Sequence, residues 1–174
     1  MIYVVRHGKT YWNEIGRNQG RTDIELNEEG IKQANIVKDK LSNINFDMVI
    51  SSPLKRALKT AEIISNANNI IIDERIIERS NGTLEGKLRE ELPKNINYNS
   101  VDNEYGIEPI DEFRKRIFDF CKDLEKYIDK NILIVTHAGV GIYIRCYFEG
   151  EPIDNNYLTY KLNNCDILKY ENSK

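Results

Sequence analysis

The chain has 174 residues, 40% hydrophobic and 30% charged, which suits one globular domain with a sizeable core. A formal net charge of -3 and a sequence pI of about 5.6 argue against a nucleic-acid or anionic-membrane surface, and no apolar run reaches the length of a membrane span. Cys121, Cys146 and Cys165 are far apart and form no CxxC pair, and the chain has two histidines in all; no metal site, disulfide frame or cofactor is expected, and a reducing cytoplasm is the expected compartment.

Ile2 to Val5 form a short, β-branched run suited to a buried strand. Arg6 and His7 interrupt it, so it does not read as a signal peptide. They stand where a strand opens into a turn, and in α/β sheets ligands bind off the carboxyl ends of strands. Taken alone, the pair reads equally well as a solvated strand end. Residues 8–26, with Gly8, Gly16 and Gly20, read as a long functional loop. Asn27 can cap a helix that starts with Glu28 and Glu29 and carries Ile31, Ala34, Val37 and Leu41 on its apolar face.

Phe46 to Ile50 is a second strand. Ser51-Ser52-Pro53 starts the next helix, with Ser52 as cap, Pro53 at the first helical position, and Leu54, Ala57, Leu58, Ala61 and Ile64 buried. Ile70 to Ile72 is a third strand. Residues 73–109 hold weak periodicity and five Gly or Pro, an irregular excursion read as a lid. Ile110, Phe113, Ile117, Phe120, Leu124 and Ile128 share one helix face. Ile132 to Val135 is a fourth buried strand, followed by Thr136-His137-Ala138-Gly139 and a helix over Val140 to Phe148. Leu158 to Leu162 and Ile167 to Tyr170, joined through Asn163-Asn164, look like a terminal hairpin. The alternation of strands and helices predicts one α/β domain over residues 1–174, a three-layer α/β/α sandwich with a mainly parallel central sheet.

Both histidines follow predicted parallel strands, Arg6 neighbours one of them, and Arg56 falls in the first turn of a helix. Helix N-termini and Arg forks bind phosphate, so two Arg and two His at one sheet edge make a pocket for a tetrahedral anion. A neutral histidine there can attack phosphorus. The plainer readings are a solvated helix residue for Arg56 and a core histidine for His137; jointly they fit poorly.

The motifs resemble those of the histidine phosphatase superfamily, the phosphoglycerate mutase-like enzymes. Arg6-His7-Gly8-Lys9-Thr10, with Trp12-Asn13 and Gly16-Arg17-Asn18-Gln19-Gly20, is similar to its signature. Leu26 to Ala34, Ser51 to Ala57 with Thr60-Ala61, Glu78 to Gly86, and Thr136 to Val140 resemble the later blocks, in family order. The resemblance implies His7 as the phosphorylated nucleophile, with Arg6, Arg56 and His137 binding the phosphoryl oxygens. Asn13 matches a residue that contacts phosphate, and Gln19, Gly20 and Ala138 are assigned to the same phosphate and substrate site. Glu78 matches the acid that protonates the leaving oxygen and then serves as base for water; its plainer reading is a lid carboxylate paired with Arg75 or Arg79, and Glu85 is the rival carboxylate.

Lys9 stands where the family often has Glu, and Ser80-Asn81 replaces the His-Tyr of the mutases. Residues 73–112 hold eleven Asp and Glu against five Lys and Arg, so an acidic lid is expected to serve a doubly phosphorylated intermediate poorly. The expected function is a metal-independent phosphomonoesterase acting on a small phosphorylated metabolite. The alternatives are a cofactor-dependent phosphoglycerate mutase and a catalytically weak phospho-ligand or partner-binding module. Oligomeric state is not readable.

Overall fold

Alternate residues of β1 (Ile2–Arg6) serve two different cores. Ile2 and Val4 pack with Ile117, Phe120 and Ile144, whereas Tyr3 and Val5 pack with Val37, Ala57 and Ile64. A strand covered on both faces is apolar throughout rather than alternating. The same holds for β4 (Ile132–Thr136), whose five residues are all buried. Each large aliphatic side chain so buried contributes about 1.5–3 kcal/mol of transfer free energy.

The computed structural model describes residues 1–67, 69–94, 104–127 and 129–171. With β2 (Met48–Ser51), β3 (Ile71–Ile72) and β5 (Ile167–Tyr170), the strands form one sheet in the order β3-β2-β4-β1-β5. Every ladder is parallel except β1 with β5. Helices α2 (Glu28–Lys40) and α3 (Lys55–Ser65) pack together on one face, and α4 (Ile110–Leu124) and α5 (Ala138–Glu149) on the other. This is the expected three-layer arrangement.

Register decides where the chemistry falls. Arg6 pairs with Thr136, and Ser51 with Val135. The ladders run one step further, as His7 N–H donates to Thr136 O at 2.9 Å and Ser52 N–H to Val135 O at 3.0 Å. Three neighbouring strands therefore end level, and His7, Ser52 and His137 emerge at one edge.

Several expectations need correction. The terminal hairpin does not form: Tyr157–Tyr160 is a 3-10 turn and β5 pairs with β1 instead. The spacing of Leu158, Tyr160 and Leu162 mimics a strand, but Leu158 is exposed and Leu162 is buried. Helix α3 starts at Lys55, with Leu54 at the cap position, and Asp23 Oδ1 accepts the Lys55 N–H at 2.8 Å. Ser52 is occupied elsewhere, as described below. Leu58 is half-buried, and Ile31 lies exposed beside the buried Gly30, Ala34 and Val37. The loop over 8–26 contains a short helix, α1 (Tyr11–Glu14), closed by a reciprocal capping box between Thr10 and Asn13. Ile128 and the lid stretch 95–103 lie outside the described residues; the described part of the excursion is built of 3-10 turns.

Candidate active site

His7 is 3% exposed, and its Nδ1–H donates to Gly8 O at 2.7 Å. That bond fixes the proton on Nδ1 and leaves the lone pair on Nε2. Burial, then the charges of Arg56 and Arg6, hold the imidazole well below the usual 6.5, so it is neutral at physiological pH. The turn after His7 is tightly enclosed. A Cβ on Gly8 would stand 2.5 Å from Gly30 O, and one on Gly30 would stand 2.1 Å from Lys9 O. Only a pair of glycines lets the start of α2 press this close to the backbone that carries His7.

His137 is fully buried, its ring centroid 5.1 Å from that of His7. Its Nε2 lies 2.6 Å from Ser52 Oγ, and burial followed by Arg56 also holds it uncharged. It sits behind His7 rather than on the cavity wall.

Arg6 donates to Leu162 O at 2.7 Å, and Arg56 donates to Thr22 O at 2.8 Å and Gly20 O at 2.7 Å. Arg56 is 1% exposed, and burial pulls its pKa down to about 10, which still leaves it charged at neutral pH. The Nε atoms of Arg6 and Arg56 and Nδ1 of His137 are buried without a partner. Buried cations and unpartnered nitrogens are costly unless an anion completes them.

Two amides join this floor. Thr10 Oγ1 lies 3.2 Å from Asn13 Oδ1 and 3.1 Å from Gln19 Oε1, and Thr10 N–H donates to Asn13 Oδ1 at 3.1 Å. Asn164 Nδ2 donates to His7 O at 2.9 Å and to Asn13 Oδ1 at 3.3 Å. With both amide oxygens turned to protein donors, the NH₂ groups of Asn13 and Gln19 are the ones available to the cavity that both residues line.

Glu78 also lines the cavity. Its Oε1 accepts from Arg79 N at 2.9 Å and its Oε2 from Gly139 N at 3.1 Å, in the first turn of α5. A Cβ on Gly139 would lie 2.5 Å from Glu78 Oε1, so glycine is what lets the carboxylate reach the helix end. Arg75, one of its expected partners, is paired with Asp73 and Asp123 instead. Glu85 is outside the cavity; it accepts from Arg21 N at 2.9 Å, Thr22 Oγ1 at 2.7 Å and Asn81 N at 3.0 Å, clamping the loop that holds Arg56.

The cavity encloses about 720 Å³. Of the residues assigned from sequence, Arg6, His7, Asn13, Gln19, Gly20, Arg56, Glu78 and Ala138 line it. Thr10, Ser52 and Asn164 were not singled out: Ser52 was read as a helix cap and Asn164 as part of a turn, their partners lie far along the chain, and Thr10 stood in a stretch read as a loop. The acidic excess of the lid is not carried onto the cavity wall. Six Arg and one Lys face the cavity against Glu78 and Asp111, since Glu74, Glu90, Glu91 and Glu104 turn to solvent.

A family model described as histidine phosphatase superfamily (branch 1) matches residues 2–174. The uncharacterized phosphatase PhoE of Bacillus subtilis is 37% identical over 140 residues, covering 79% of this chain and 71% of its own. Phosphoglycerate mutase-like protein 4 of Arabidopsis thaliana is 35% identical over 162 residues, covering 85% and 69%. A crystal structure of a phosphoserine phosphatase mutant from Entamoeba histolytica in complex with phosphoserine superposes with a TM-score of 0.82 at 32% identity, covering 95% of this chain and 87% of that one.

Proposed function

Since the chain belongs to the histidine phosphatase superfamily, branch 1, we propose that it hydrolyses a small phosphorylated metabolite through a covalent phosphohistidine at His7. The observation that carries this reading is the neutral, Nδ1-protonated imidazole set beside buried Arg56 and half-buried Arg6, each with a buried, unpartnered Nε. Nε2 of His7 attacks phosphorus, the N–P bond forms, and the ester O–P bond breaks. Arg6 and Arg56, with the amides of Asn13 and Gln19, neutralise the equatorial oxygens, a task that a metal performs elsewhere. His137, fixed by Ser52, supports the same charge. Glu78, protonated, gives its proton to the departing alkoxide; as carboxylate it then takes one from the water that splits the N–P bond and releases inorganic phosphate. Three free cysteines suit a reducing cytoplasm as the place of work.

Rapid quenching during turnover of a phosphomonoester tests this reading. An acid-labile, alkali-stable phosphoprotein mapping to His7, formed undiminished in EDTA, is expected. Near-normal turnover by His7→Ala would overturn it, and dependence on an added divalent ion would overturn the metal-free part.

A further inference from the structure

Glu78 stands on irregular backbone. Residues 78–81 lie between two 3-10 turns, Glu74–Ile76 and Gly82–Leu84, and belong to no helix or strand. No ladder fixes this stretch, yet an acid must meet its proton acceptor at about 2.6–3.2 Å. Three charged side chains supply the anchors. Arg21 Nε donates to Glu78 O at 3.0 Å, and Arg116 Nη2, from α4, donates to the same carbonyl at 3.2 Å. Arg116 Nη1 also donates to Arg75 O. Both arginines are gathered by Glu108. Arg116 Nε and Arg21 Nη2 lie 2.8 and 3.0 Å from its Oε1, and Arg116 Nη2 lies 3.0 Å from its Oε2. Oε2 also accepts from Ser80 N–H at 3.3 Å, Glu108 N–H donates to Ser80 O at 3.0 Å, and Glu108 O accepts from Arg79 Nε at 2.8 Å. Glu108 thus grips residues 79 and 80 directly and residue 78 through two guanidiniums. Burial pushes the Glu108 carboxyl up, but Arg116 and then Arg21 outweigh it and hold it below the usual carboxylate range, so it is charged at neutral pH.

We propose that Glu108 is a positioning residue for catalysis: acting through Arg116 and Arg21, it holds the Glu78 peptide and so sets where the Glu78 carboxyl group meets the leaving oxygen. Glu108, Arg116 and Arg21 are not among the residues that line the cavity, so they act on the reaction only through Glu78. Such an anchor matters because a shift of about 1 Å at a reacting group can cost about 100-fold in rate. The side chains of Glu108 and Arg116 are 11% and 17% exposed, which limits screening of the pair by salt. A planar guanidinium can bind a carboxylate and a carbonyl at once, which suits arginine to this link. The loop whose carbonyls hold Arg56 is clamped separately by Glu85, so binding of the phosphoryl group does not depend on Glu108. The inference rests on the reading of Glu78 as the acid and adds what keeps it in place.

Glu108→Gln removes the charge that gathers the two arginines and keeps the size of the side chain. The test measures single-turnover phosphorylation of His7 by an alkyl phosphate and by p-nitrophenyl phosphate, in Glu108→Gln, in Glu78→Gln and in the double variant. Glu108→Gln should be about 10-fold slower than wild type on the alkyl ester and within about 2-fold on the aryl ester, which needs little acid assistance. In the Glu78→Gln background the second substitution should cost nothing further on the alkyl ester, because the group it acts through is gone. Arg21→Gln, at a half-buried side chain, should show the same selectivity to a smaller degree, and it decides the matter should Glu108→Gln not fold. Equal loss on both esters in a folded variant, no loss on either, or the same loss with and without Glu78→Gln would overturn the positioning role and leave the phosphatase reading standing. Absence of alkyl selectivity in Glu78→Gln itself would instead remove the acid, and the positioning role with it.

Discussion

His7 Nδ1 donates to the carbonyl of the next residue, Gly8, at 2.7 Å, so its own chain neighbour sets the tautomer of the imidazole. Nitrogen-resolved NMR of the imidazoles should find His7 neutral with its proton on Nδ1 at pH 7. Both histidines are held well below 6.5 in the folded chain and titrate near 6.5 when unfolded. Unfolding therefore binds protons below about pH 6.5, and Tm should fall as pH drops through that point toward the folded values. The His7 limb of the kcat/KM profile should also lie below 6.5. A limb at 6.5 or above that is assigned to His7 would contradict this.

Glu78→Gln keeps size and hydrogen bonding but cannot donate a carboxylic proton. Positioned acid catalysis is worth about 10²–10⁴-fold, so phosphorylation of His7 by an alkyl phosphate should slow by that order. With p-nitrophenyl phosphate, whose leaving group departs nearly unaided, the loss should be much smaller. Glu85→Gln should instead lower Tm, since Glu85 clamps Arg21, Thr22 and Asn81, and should show no such substrate selectivity. Pre-steady-state phosphorylation of both variants on both substrates decides the assignment; equal loss on the two would remove Glu78 as the acid.

The Thr10 hydroxyl has one proton for Gln19 Oε1 or Asn13 Oδ1 and caps α1 by accepting from Asn13 N–H, while the Thr10 main-chain N–H holds Asn13 Oδ1 independently. Thr10→Val should weaken inhibition by vanadate or phosphate about 5- to 10-fold, the equivalent of one lost hydrogen bond of about 1 kcal/mol. It should also cost about 1 kcal/mol of stability from the cap. Thr10→Ser should restore both. Weak anion binding in the serine variant at wild-type Tm would show that the hydroxyl is not what orients Gln19.

Ser52 Oγ stands 2.6 Å from His137 Nε2, deep under the site. Ser52→Ala leaves a buried ring nitrogen without a partner, a cost of about 1–3 kcal/mol. Tm and kcat should fall together, whereas Ser52→Thr should retain much of both. An alanine variant with wild-type kcat would mean that His137 needs no such support.

The motif residues and the layers were legible because they depend on local pattern. An apolar run such as Ile132 to Val135 has one comfortable home, and a His after it inherits the strand's end. What was misread depends on distance and direction. Ser52 looks like a helix cap until the strand register sets it against His137. Leu158 to Leu162 alternates like a strand, but β1 offers an edge that Ile167–Tyr170 takes. The acidic count of the lid was right as arithmetic and misleading as electrostatics, because most of those carboxylates face water or clamp loops. Asn164 acts through a partner 157 residues away, which no spacing rule connects.

The strand that leads into His7 is held by partners far along the chain. Its neighbours on both sides, β4 and β5, arrive more than 120 residues later, and Asn164 reaches the His7 carbonyl across 157 residues of sequence. Contacts of such separation cost loop-closure entropy before they return anything, which slows folding. His137 and Leu162, whose carbonyl holds Arg6, likewise stand 130 and 156 residues beyond the groups they serve. A chain cut before β4 loses the Thr136 carbonyl and the Asn164 amide that fix the His7 backbone, so hydrolysis is expected to require the sheet to close around it.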